Sequence, residues 1–329
     1  MLSEVSRRPD IDRAISDPRI SHGPSAPGPF NVPAALAALA GLYAEWSLKP
    51  GALPDPEEAH GHPEGRVGPC TDMRVPTMLA AYAKGLYPGE RTWWAPSERM
   101  VSFPENAYVS KSVWRLLQMR AYTVTFDDDF AGVVRACAKM HRKGSGATAD
   151  SDVAESFMAL HEAGHAHSVE VWDRSGKLAG GLYGLAIGRA FFTEKMFSRE
   201  RDASNVGFVT LSCHLQHWGY ALNDGKRMSG QLSQLGFMMV PRFALNGLLS
   251  KATEEPGRDG KWALDDGLDA ARWNPKVPGT GRVTPGSQIR QDNFVPSSYR
   301  RLGSSIEKCS SPGGIHTPVE RLRRAIMRL

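Results

Sequence analysis

The sequence predicts a mixed α/β (α+β) protein in which a sheet is covered by helices. Two alternating apolar runs, 168–173 and 178–187, flank the turn Arg174-Ser175-Gly176-Lys177, a hairpin by chemistry and spacing. Segments with helical spacing of apolar residues stand on either side of it, at 152–163 and 206–218. Pro- and Gly-rich stretches confine these segments to the centre of the chain.

In chain order, residues 77–84 read as a helix, 122–126 as a strand, and 130–140 and 152–163 as helices. The hairpin follows, and 191–197 continues its alternation as a third strand. Residues 206–218 carry an apolar helical face, 220–223 a short strand and 230–235 a short helix. Up to residue 72 the chain is rich in Pro, Gly and charge, as in Ser21-His22-Gly23-Pro24 and Pro54-Asp55-Pro56-Glu57-Glu58, and is expected to be largely irregular. Its apolar stretch 32–46 contains Glu45 and is too short to span a bilayer, so it reads as a small helix. Beyond residue 251 the chain is again polar and Gly/Pro-rich, and it ends in a basic helical stretch, 319–329. There Arg321-Leu322-Arg323-Arg324 reads as a solvated basic face, with phosphate contact to an RNA as the alternative.

With 329 residues and 41% hydrophobic content, the chain can bury one substantial core and a small second domain. A net charge of +5 and a pI of about 9.0 permit a polyanionic partner without demonstrating one. Cys70, Cys137, Cys213 and Cys309 lack C-x-x-C spacing, which argues against a cysteine zinc site or a disulfide framework and fits a reducing compartment. Residues 1–19 are charged throughout and lack the apolar core of a secretion signal, so a cytoplasmic, non-membrane protein is expected.

His161-Glu162-Ala163-Gly164-His165 matches the H-E-x-x-H pattern of zinc proteases. Two histidines share a zinc only if four residues of continuous helix put them on one face. Gly164 sits where a helix stops, and 167–172 alternates as a strand, so His165 is expected past the helix end. His214 and His217 lie in another segment, and no third ligand is placed by a helical motif. Histidines bonding free carbonyls at a helix C-terminus are the alternative, and no metal is expected.

The phrases Ala81-Tyr82-Ala83-Lys84-Gly85-Leu86-Tyr87-Pro88, Trp93-Trp94-Ala95-Pro96, LHEAGHAHSVEVW at 160–172 and Glu194-Lys195-Met196-Phe197-Ser198-Arg199 resemble the leucyl/phenylalanyl-tRNA-protein transferases, in order, over 75–249. The resemblance implies a small N-terminal domain, 73–98, and a GNAT-type acyltransferase domain, 99–250, between an N-terminal extension, 1–72, and a C-terminal one, 251–329. It implies transfer of Leu or Phe, with Met as a further donor residue, from aminoacyl-tRNA to the N-terminal amine of an acceptor protein, marking it for degradation. No cofactor or metal is implied, and the implied acceptors begin with Arg or Lys.

An aminoacyl ester is already activated, so such a site needs an apolar pocket, an anion for the attacking ammonium, donors for the oxyanion and a surface for the tRNA end. Asp224 matches the family's catalytic aspartate; a turn residue in Asn223-Asp224-Gly225 is the other reading. Glu194 lies among apolar neighbours and needs a cation: the acceptor's N-terminal end by resemblance, or Lys195 or Arg199 of the chain itself. Phe191 matches an aromatic of the amino-acid pocket and reads equally as a core residue. Ser198 and Arg199 are retained family positions.

Three departures stand out. Gly89 and Thr148 replace tryptophans expected to receive the tRNA terminus, which leaves Trp93, Trp94 or Tyr87 as substitutes. Lys226 replaces a glutamine, so it either donates to the oxyanion or pairs with Asp224. A member altered to bind tRNA ends or protein N-termini without transfer, or one transferring to acidic N-termini, is therefore a second reading, and the zinc protease a remote third.

Overall fold

The computed structural model describes residues 53–61, 64–89, 91–141 and 147–284. The stretch 32–46, the basic segment 319–329, Cys309 and the side chain of Thr148 lie outside the described residues.

A small antiparallel sheet comes first: β1 (His60–Gly61), β2 (Glu64–Pro69), β3 (Tyr87–Gly89) and β4 (Thr92–Trp94), in the order β1-β2-β4-β3, with helix α1 (Val75–Ala83) between β2 and β3. The main sheet has seven strands. They are β5 (Glu98–Ser102), β6 (Thr123–Phe126), β7 (Ala166–Trp172), β8 (Leu178–Ile187), β9 (Ala190–Ser198), β10 (Leu222–Asp224) and β11 (Met238–Pro241), ordered β11-β5-β10-β9-β8-β7-β6. All neighbours are antiparallel except β9 and β10, which run parallel. That junction is central to the sheet.

Helices cover both faces. On one side lie α1, α3 (Phe130–His141), α4 (Ala147–Glu162) and α7 (Arg242–Glu254), sharing a core with Tyr183, Leu185, Phe192 and Phe197. On the other lie α2 (Lys111–Gln118) and α5 (Ala203–His217), packed with Leu182, Ala186 and Phe191. A short helix, α6 (Gly230–Gln234), leads into β11. The alternating partition of β8 side chains between these two clusters is the period-2 pattern of a strand buried on both faces.

The expected mixed sheet under helices is present, with the hairpin at the expected residues. Asp173 Oδ1 accepts from the N–H groups of Ser175 and Lys177, and Gly176 takes φ +76°, which a glycine adopts without strain. Other limits shift. Helix α4 begins at Ala147 rather than 152, because Ala147 and Ala149 extend the helical run. The sequence reading had no element at α2, α7, β5 or β11. β1 and β2 precede residue 73 and pair with β4, so the small sheet begins inside the segment expected to be irregular.

Residues 255–284 contain no α-helix or strand, yet they pack closely on the α5 face. Trp262 is fully buried, stacking on His167 at 3.8 Å with Trp218 and Phe191 around it. Its backbone N–H donates to Asp127 Oδ2, which also bonds His167 Nδ1. Trp273 Nε1 donates to Gln216 Oε1, and Arg120 pairs with Asp269 at 2.6 Å. The composition that suggested irregularity thus produces an extended strap.

His214 on α5 is held neutral by this packing. Its Nδ1 donates to Thr210 O, its Nε2 accepts from Asp265 N, and burial pushes its pKa down to about 4. Burial also lowers His167. In the unfolded chain a histidine titrates near 6.5, so between about pH 6.5 and 4 the unfolded state binds the extra proton and stability falls as pH falls. His214 alone is expected to cost about 2 kcal/mol by pH 5 relative to pH 7.5. Urea midpoints at the two pH values test this: His214→Asn should be less stable at pH 7.5 but show a shallower loss on acidification, and an unchanged slope would remove His214 from the account.

Candidate active site

Two strand ends and a turn bring the site together. β10 runs between β5 and β9 and ends at Asp224, which lies opposite Val101 on β5 and Phe192 on β9. Gly225 N donates to Met100 O and Met100 N to Lys226 O, so the turn after β10 stays hydrogen-bonded to β5. Lys226 has φ +67°, a left-handed conformation that a lysine disfavours. Gly225 beside it is closely packed, since a Cβ there would lie 2.7 Å from Leu232 Cδ1 and 2.8 Å from Phe237 Cε1. The turn is therefore fixed, and it aims Lys226 back across β9.

β9 meets it with a bulge. Tyr183 pairs with Lys195 and Gly184 with Thr193, which leaves Glu194 as the extra residue. Glu194 Oε1 lies 2.7 Å from Lys226 Nζ, and Oε2 accepts from Tyr82 Oη at 2.7 Å. Burial together with Glu194 pushes the Tyr82 phenol well above its usual range, so it remains a donor. For Lys226, burial lowers the pKa and Glu194 acts in the opposite direction.

Asp224 is fully buried under this turn. Its Oδ2 is 2.5 Å from Arg99 Nη2, and its Oδ1 accepts from Lys226 N at 2.8 Å. The expected alternative of a Lys226–Asp224 ion pair is not what forms: Arg99 takes Asp224, and the Lys226 ammonium takes Glu194. The cation beside Glu194 is Lys226, a pairing the sequence reading did not consider. Arg99 also donates to Gly85 O and lies 4.7 Å from the centre of the Tyr87 ring.

A cleft of about 350 Å³ opens above, lined by Tyr87, Thr193, Glu194, Lys195, Lys226 and Arg227, with Met196, Met228 and Leu232 supplying apolar wall. The exposed guanidinium of Arg227 lies 4.1 Å over the Trp94 ring, and its Nε donates to Tyr87 Oη. Trp94 Nε1 donates to Gly89 O, so its indole sits against the glycine that replaces an expected tryptophan. Trp93 is buried in the core.

Of the residues singled out from sequence, Glu194 and Lys226 meet at the cleft, Asp224 lies beneath it and Trp94 stands at its edge behind Arg227. Phe191 does not line the cleft; it packs against Trp262, 5.7 Å between ring centres, on the α5 side. Ser198 Oγ accepts from Ser204 N at the start of α5, and Arg199 donates to Leu178 O, so both brace the β9–α5 connection. Sequence reasoning passed over Arg99, Tyr82 and Arg227. Tyr82 lay within a quoted family phrase, and Arg227 directly follows Lys226, but Arg99 sits in a five-residue strand without a signal.

The H-E-x-x-H stretch does not form one helix. α4 ends at Glu162, Gly164 takes φ +80°, and His165 N bonds back to Leu160 O. His161 Nδ1 is 2.8 Å from Ala166 O and its ring stacks on Phe130 at 4.1 Å. Among the described residues no group of three or more His, Cys, Asp or Glu is placed to hold a metal ion. Cys70, Cys137 and Cys213 are buried thiols, each pushed up to about 12 chiefly by burial.

Comparison with known proteins places this chain in a class. Residues 101–250 match the family described as leucyl/phenylalanyl-tRNA protein transferase. The leucyl/phenylalanyl-tRNA–protein transferase of Pseudomonas fluorescens is 40% identical over 215 residues, 64% of this chain and 94% of that one. Those of Aromatoleum aromaticum (37% over 225 residues, 67% and 94%) and Solidesulfovibrio magneticus (41% over 218 residues, 64% and 87%) are similar in the same way. The matches are aminoacyl-tRNA-dependent acyltransferases. The chain belongs to the leucyl/phenylalanyl-tRNA protein transferase family.

Removing one member of a buried ion pair leaves the other charged and desolvated, at a cost of about 3–5 kcal/mol. Arg99→Met is therefore expected to lower stability by that order, read as a shift in urea midpoint at unchanged slope. A loss below about 1 kcal/mol would mean that Asp224 does not depend on Arg99.

Proposed function

We propose that this chain transfers leucine or phenylalanine from aminoacyl-tRNA to the N-terminal amine of a protein, at the cleft above Asp224. The observation that carries the reading is the meeting of Glu194, Lys226 and Arg227 around one cleft in a chain about 40% identical to such transferases over most of their length. In the reaction the acceptor amine attacks the ester carbon, the C–O bond to the tRNA 3′-terminal ribose breaks, the amine gives up a proton and the ribose oxygen gains one. The ester supplies the driving force, so orientation and charge stabilisation are the protein's main contributions.

Asp224 acts in this reading as a positioning residue: its charge fixes Arg99 and the Lys226 turn from beneath the floor. The cations of the cleft suit the developing oxyanion and the phosphates of the tRNA end. Arg227, backed by Trp94, offers an exposed guanidinium face on which a terminal base can stack in place of the tryptophans missing at Gly89 and Thr148. The reading assigns catalysis to residues 99–250 with 73–98 as the small domain before it, and assigns the reaction to the cytoplasm, where charged tRNA is found. Among the described residues no helix is long and apolar enough to cross a membrane.

Transfer of labelled leucine from Leu-tRNA to a panel of peptides tests the proposal. Asp224→Asn, which keeps the shape and removes the charge, should lower transfer at least about tenfold; unchanged transfer would make Asp224 purely structural. Arg227→Ala should weaken binding of the tRNA by about 1–3 kcal/mol. Equal tRNA affinity would deny Arg227 the stacking role.

A further inference from the structure

Lys226 fills the space beside Glu194 that another cation could otherwise take. Its ammonium contacts Glu194 Oε1 while Tyr82 holds Oε2, so each oxygen of that carboxylate already has a partner from the protein. Asp224, the neighbouring anion, is similarly engaged by Arg99 and the Lys226 N–H. Nothing about this arrangement is loose. The backbone of Lys226 is bonded on both sides, to Asp224 and to Met100, in a strained conformation, and its Nζ also lies 5.4 Å from the centre of the Tyr87 ring.

Two cations, Lys226 and Arg227, line the cleft beside Glu194. A peptide beginning with Arg or Lys would have to break the Lys226–Glu194 pair and bring another cation beside Arg227. A peptide beginning with Asp or Glu would meet the exposed Arg227, beside Lys226, with the Lys226–Glu194 pair intact. Specificity built on such like-charge conflict is an ordinary device of binding sites.

We propose that Lys226 is the acceptor-specificity residue of this chain: by occupying Glu194 it turns the cleft from basic to acidic N-terminal residues. This rests on the transferase reading above, and the experiment separates the two. Leucine transfer from Leu-tRNA is measured to four peptides identical except for a first residue of Arg, Lys, Asp or Glu, with the wild-type chain, Lys226→Gln, Lys226→Arg and Glu194→Gln/Lys226→Gln.

The wild type should favour Asp and Glu at least about tenfold in kcat/KM. Lys226→Gln should reverse that order, Lys226→Arg should keep it, and the double variant, with no carboxylate to offer, should not gain basic acceptors. A wild-type preference for Arg or Lys overturns the proposal, as does a uniform loss in Lys226→Gln with the order unchanged, which would give Lys226 to the tRNA instead. If neither wild type nor Lys226→Gln transfers leucine, the transferase reading fails by itself. Fluorescence anisotropy of the same four peptides, labelled at the C-terminus, then decides about Lys226: a reversal of binding order supports it and indifference to the first residue overturns it.

Discussion

Asp224 is a carboxylate without water, and much around it follows from that. Burying an isolated anion is prohibitive, so it has to be paired and hydrogen-bonded. Arg99 does the first from β5, and the N–H of Lys226 does the second from the turn after β10. Satisfying Asp224 thereby joins two neighbouring strands to the turn above and holds Lys226 at an unfavourable φ. Arg99 extends the chain of dependence through Gly85 O to the end of α1, where Tyr82 donates to Glu194 from beneath the cleft. Small sheet, main sheet and cleft thus share one buried charge.

A second buried carboxylate organises the opposite side. Asp127 receives His167, the Ser168 N–H and the Trp262 N–H, and so fastens the strap 255–284 over the aromatic cluster behind Phe191. The strap lies beyond the residues matched by the family, 101–250, yet it supplies the fully buried Trp262 to that cluster. Its stability is coupled to α5 through His214 and Gln216.

The sheet was legible because long alternating runs and a strong turn report directly on backbone geometry. Strands β5 and β11 were not, because five residues buried between two neighbours, or four at the sheet edge, are too few to carry a periodicity. Asp224, Glu194 and Lys226 stood out by residue type in unusual company, but their pairing did not. Lys226 is two residues from Asp224, and an ion pair between them was one of its two local readings. Arg99, 125 positions away in sequence, wins Asp224 because the sheet brings β5 alongside β10, a long-range fact with no local trace. The strap fell to a similar limit: Gly and Pro exclude helix and strand without excluding close packing.

The bulge at Glu194 limits how this chain can change. One extra residue in β9 resets the phase of the strand, so that Met196 joins the α5 side and Phe197 the other, the reverse of uninterrupted alternation from Phe192. Core and cleft are therefore encoded by a single shared reading frame along β9. A one-residue insertion or deletion there would exchange the faces of several side chains at once, whereas point changes at 194 or 226 leave the frame intact. Evolution of this cleft is thus constrained to proceed by substitution, with the length of β9 held constant.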